Sequence, residues 1–208
     1  VLRKPCIAIA LAAVLWFVMF SPWTAPHLNF WASMTAAALV LTAVSEGFGK
    51  TSALLRLPAG KVPETLLLGA GIAFALWWVF RAGDYLSQRM FSFARPQVDL
   101  IYGMKDGSAS WLISLLLLLV IGPAEEFFWR GYIQRTFADG IGPDKAFIVT
   151  TLAYTLVHVP SLNLMLILAA LVCGVAWGGL YRLFPDKLPA ILLSHALWDA
   201  AAFVWFPL

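Results

Sequence analysis

The chain has 208 residues, 62% of them apolar and 12% charged, with mean hydropathy +0.84 and a net charge of +3. Globular domains carry about 25% charged residues, so this composition excludes an ordinary water-soluble domain and implies a multi-pass membrane protein. No Lys/Arg stripe interleaved with aromatic residues is present, so a nucleic-acid partner is not expected.

About 20 apolar residues cross a bilayer, and fewer suffice when a helix ends inside protein. On that basis the chain reads as all-α, a transmembrane helical bundle of about seven helices forming one domain over residues 1–208. The first segment, 6–20, resembles a secretory signal, but no small-residue cleavage site precedes Ser21-Pro22, and it reads as a retained helix. Segments 28–44 and 63–80 follow. Residues 81–107 mix Arg81, Asp84, Arg89, Arg95 and Asp99 with Tyr85, Leu86, Met90, Phe91 and Phe93, as expected of an amphipathic segment at the membrane interface. That segment is expected to act as a connector, with a lid over a substrate entrance as the alternative. The remaining spans are 110–133, 145–159, 162–183 and 188–206.

With the N-terminus cytoplasmic, the inside segments hold most of the basic residues, from Arg3 and Lys4 to Arg182 and Lys187. Only Arg81, Arg89, Arg95 and Lys105 fall outside. The positive-inside rule therefore favours a cytoplasmic N-terminus in a cell membrane. Cys6 and Cys173 lie apart in apolar segments without CxxC spacing, so they read as packing residues.

Three groups of polar residues interrupt the apolar segments. The first is Glu125-Glu126-Phe-Phe-Trp-Arg130, after a run of leucines. A charged group at mid-membrane depth costs about 2.5–3.5 kcal/mol on insertion scales, so its presence needs a reason. Positions four apart share a helix face, which pairs Glu126 with Arg130 and leaves Glu125 pointing elsewhere. The second group is Tyr154-Thr-Leu-Val-His158, and the third is His195-Ala-Leu-Trp-Asp199; each pair has the same spacing. Asp139-Gly-Ile-Gly-Pro143 marks a turn. If both arms are helical, Glu125 and His158 stand at nearly equal depth, roughly 25 Å from that turn. His195 rises only about 15 Å from its own turn near Pro185, so its depth agrees only if the hairpin turning at Ile141 projects further.

A carboxylate and an imidazole converging in a poorly hydrated cavity can activate a water molecule, and a second imidazole can stabilise an oxyanion. The parts suit amide hydrolysis with water as nucleophile. There is no GxSxG or HExxH motif, and Ser194 points about 100° away from His195 on a helix. His158, His195, Glu125 and Asp199 are suitable ligand types for a metal, although no cofactor is expected. A non-enzymatic membrane scaffold or immunity protein and a proton-coupled transporter are the rival readings.

The three groups resemble the signature of the CPBP family of intramembrane proteases, which includes the eukaryotic CAAX prenyl endopeptidase and many bacterial Abi-type proteins. That signature reads EExxxR, FxxxH and HxxxN or HxxxD, and the likeness covers a protease-like core at about 110–208. It departs at Tyr154, where the family has Phe, and at Asp199, where the CAAX enzymes have Asn. The resemblance implies a glutamic-type endopeptidase acting near the C-terminus of a membrane-anchored protein or peptide. It implies that Glu125 and His158 activate water, that Glu126 and Arg130 form a supporting pair, and that His195 stabilises the oxyanion. Asp199 is expected to orient His195.

Overall fold

The computed structural model describes residues 2–208, and within them the chain is helical with no strand. Helix α1 (Arg3–Phe20) turns one face inward through Ala8, Ala12, Trp16 and Met19, spaced three or four apart. It ends at Ser21, which is extended at φ −65°, ψ 134° because Pro22 disfavours a helical residue before it. Helix α2 (Phe30–Gly49) begins at Asn29, whose side chain accepts the Ala32 N–H at 2.9 Å.

Helix α3 (Val62–Met90) is 29 residues long and runs ten residues past the span read from hydropathy. Polar residues continue it rather than stop it. Gln88 donates to Asp84 at 2.7 Å, and the Arg89 guanidinium lies 4.0 Å from the Tyr85 ring centre. Only α4 (Ala94–Gly103) remains as a separate amphipathic helix.

The central element is α5 (Ser110–Ile141), with 56% of its apolar window buried against 17–44% in the other long helices. Two π-helical stretches, Leu117–Ile121 and Phe127–Gln134, flank Gly122–Glu126. Pro123 accounts for the first, since its ring removes one N–H and crowds the preceding turn. The Gly122 N–H bonds Leu117 O, five residues back.

Helix α6 (Pro143–Leu156) follows Gly142, whose φ of 86° closes the turn. It has 14 residues, about 21 Å, which is too short to cross a bilayer core of about 30 Å. Helices α7 (Leu164–Leu183) and α8 (Leu188–Ala200, continued by the π-turn Ala201–Trp205) complete the bundle. Among the described residues, six helices are thus long and apolar enough to span, where hydropathy suggested about seven. The described residues form a multi-pass membrane bundle of eight helices.

Close approach between α5 and α8 depends on Gly122. A Cβ there would lie 2.7 Å from Ala196 Cα and 3.0 Å from its nitrogen, closer than packed atoms come. The absence of a side chain brings α8 against α5 directly beside Glu125, Glu126 and His195.

Candidate active site

Glu126 is fully buried, and its Oε1 accepts two bonds: from Arg130 Nη1 at 2.7 Å and from His195 Nδ1 at 2.8 Å. The other Arg130 terminal nitrogen reaches Cys173 O at 3.4 Å and Gly174 O at 3.5 Å, tying α5 to α7. The expected i,i+4 pair is therefore present, and its carboxylate also clamps the α8 imidazole. Two donors on one oxygen spread the carboxylate charge where no water reaches it.

His195 lies flat on Trp177, with ring centroids 3.7 Å apart at 18°. Its Nε2 stands 3.4 Å from Asp199 Oδ2. Asp199 does flank the ring, but Glu126 makes the shorter contact on the opposite nitrogen. Ser194 does not serve His195. Its hydroxyl donates to Ile191 O at 2.6 Å and accepts from Trp177 Nε1 at 3.0 Å.

Glu125 points away from Glu126 and accepts the Tyr154 hydroxyl at 3.1 Å on Oε2. Tyr154 in turn stacks edge-on to His158, with centroids 5.1 Å apart. The hairpin thus brings Glu125 opposite Tyr154, one turn short of the expected His158. The wider π turns at Phe127–Gln134 gain less height per residue than an α-helix, so Glu125 stands nearer the turn than roughly 1.5 Å per residue implies. His195 nonetheless meets Glu126 at 2.8 Å across α5 and α8.

Glu125, His158, His195 and Asp199 line one cavity of about 440 Å³, whose other walls are chiefly apolar and aromatic. Glu126 and Arg130 stand behind it. The cavity extends toward the end of the bundle formed by Phe20, Phe30 and Met104, away from Arg3 and Lys4. There α4 roofs it with Val98, Ile101 and Tyr102.

Several bonds hold the roof in place. The Gln97 backbone carbonyl accepts Asn163 Nδ2 at 2.8 Å, and its side-chain oxygen accepts the Met165 N–H at 3.0 Å. Tyr102 donates to Ala202 O and accepts the Leu208 N–H, each at 2.9 Å. Burial raises the Tyr102 phenol above its ordinary range, which keeps that hydroxyl a donor. Helix α4, within the segment read as a connector with a lid as the alternative, thus covers the cavity.

Among the described residues, no three His, Cys, Asp or Glu side chains converge as a metal-binding group. Within the donor set of His158, His195, Glu125 and Asp199, both nitrogens of His158 already have partners in Trp16 and the Tyr154 carbonyl, whereas Glu126 holds only Nδ1 of His195.

Two contributors escape sequence reasoning. Trp177 supplies the surface under His195, and Trp16 of α1 donates its indole N–H to His158 Nε2 at 3.2 Å. In an apolar run such as AVLWFVMF, nothing local separates an inward tryptophan from a lipid-facing one.

The family described as type II CAAX prenyl endopeptidase Rce1-like matches residues 107–201, somewhat less than half of the chain. No curated protein and no solved structure matches. The matched stretch contains all three polar motifs and the α5–α8 helices that bring them together. Residues 107–201, with the motifs inside them, are thus similar to the CAAX-type intramembrane protease family.

Proposed function

We propose that the protein is a glutamic-type intramembrane endopeptidase that cleaves a peptide bond of a membrane-anchored protein near its C-terminus. The observation that carries this reading is the shared cavity, where Glu125 faces a chiefly apolar space together with His158, His195 and Asp199. Water attacks the scissile carbonyl carbon while Glu125 accepts its proton, assisted by the His158 imidazole. The carbonyl oxygen gains the negative charge and is stabilised by the His195 N–H, which turns from Asp199 toward it. Collapse of the tetrahedral intermediate breaks the C–N bond. The proton held by Glu125 passes to the departing nitrogen, giving a new carboxylate and a new amine. Glu126 and Arg130 act from behind: they hold the His195 ring and have no path to substrate.

The apolar cavity supports a substrate presented from the bilayer. A cytoplasmic N-terminus, favoured by the positive-inside rule, would place the cavity mouth on the extracytoplasmic side of a cell membrane. The test compares cells expressing wild type or Glu125→Gln by mass spectrometry of new termini on membrane proteins, with and without chelator. New termini that vanish in the variant and persist with chelator are expected. Identical termini in both strains would refute the protease reading, and loss with chelator would refute its metal-free form.

A further inference from the structure

Both ring nitrogens of His158 are engaged, and their partners fix the tautomer. Tyr154 O is a carbonyl and only accepts, so Nδ1, at 2.8 Å, carries the proton. The Trp16 indole only donates, so Nε2, at 3.2 Å, presents its lone pair. That nitrogen has a single lone pair in the ring plane. While the indole holds it, no water can donate to it.

Burial alone does not require this pairing. Among the described residues, Trp129 Nε1 and Trp198 Nε1 are buried without a protein hydrogen-bond partner, so a buried indole here is not always paired with a side chain or carbonyl. Trp16 is nevertheless aimed edge-on at His158, with centroids 6.1 Å apart at 79°, while Phe20 closes in at 5.7 Å. Helix α1 lies outside residues 107–201, so this contact belongs to the part of the chain that the family match does not cover.

We propose that Trp16 is a positioning residue of the site. Its indole N–H occupies the His158 Nε2 lone pair, and the reacting water gains that lone pair only by displacing the indole. The exchange replaces an N–H donor by a water O–H donor and makes or breaks no covalent bond. It rests on the hydrolase reading above, because the displaced bond matters only if water is the nucleophile.

The test uses the full-length protein in phospholipid vesicles. Trp16 is replaced by benzothienylalanine, in which sulfur stands for the N–H within the same ring shape, and separately by Trp16→Phe; folding is checked by thermal unfolding. The probe is a membrane-anchored peptide whose cleavage Glu125→Gln abolishes. Both replacements are expected to raise kcat by about twofold to tenfold at unchanged KM, the factor that a net bond of about 0.5–1.5 kcal/mol converts to. A kcat that falls or stays constant in folded protein would overturn the exchange.

An activity-independent arm follows the Trp16 indole N–H by NMR. Its signal should move in His158→Ala, and an unmoved signal would also overturn the proposal. If wild type cleaves no membrane-anchored peptide, the hydrolase reading and the exchange step fall together. The NMR arm then decides separately whether the indole holds the ring.

Discussion

Adjacent glutamates at 125 and 126 have different tasks because a helix turns about 100° between them. Glu126 carries two charge-assisted bonds on one oxygen, from Arg130 and His195. Replacing it by Gln leaves Arg130 buried without a counter-charge, and breaking such a pair costs about 3–5 kcal/mol. We expect Glu126→Gln to lower the unfolding midpoint as well as activity, read by thermal unfolding in detergent; unchanged stability would contradict the clamp. Tyr154 makes a gentler contrast. Its hydroxyl bond to Glu125 has a net worth of about 0.5–1.5 kcal/mol, and the signature that this motif resembles has Phe at that place. Tyr154→Phe should therefore keep the fold and retain cleavage within about tenfold, whereas complete loss would make the phenol essential.

At the scale of elements, the site depends on how closely α5 and α8 approach. Gly122→Ala would set a methyl against the Ala196 backbone, which cannot rotate away as a side chain can. Overpacking of this kind costs about 1–3 kcal/mol, and here it would also separate Glu126 from His195. We expect lower stability and lost cleavage together; wild-type activity in Gly122→Ala would show that the helices adjust freely.

The three polar motifs were legible in sequence because ionisable groups in an apolar helix stand out by their cost. Their meeting was only partly legible. The π turns at Phe127–Gln134 change the rise of α5 between Glu125 and the turn, so counting residues from the turn brought Glu125 to His158 instead of Tyr154. Hydropathy also counted α6 as a span, since apolarity does not reveal that a helix stops at 14 residues. It likewise ended α3 too early, because polar residues can continue a helix beyond the bilayer. Trp16 gave no signal at all: its role lies in a contact made 142 positions away.

At the scale of the molecule, the N-terminal half encloses what the C-terminal half assembles. Helix α1 reaches His158, α2 and α3 wall the cavity, and α4 roofs it. The roof is fastened to the α6–α7 turn through Gln97. In a Cys6→Ser background, Gln97→Ala removes the side-chain bond to the Met165 N–H and should open access from that side. Cys173 lines the cavity, so its maleimide labelling in vesicles should accelerate several-fold in the variant. An unchanged rate would show that α4 does not limit entry.

The most direct measurement is the cleavage rate of one membrane-anchored peptide by purified wild type and Glu125→Gln in vesicles, each with and without chelator. A positioned general base contributes about 10²–10⁴-fold, so Glu125→Gln should lose at least about a hundredfold while chelator leaves wild type unchanged. Cleavage by Glu125→Gln at the wild-type rate, or wild-type activity abolished by chelator, would contradict a glutamate acting on water in this cavity.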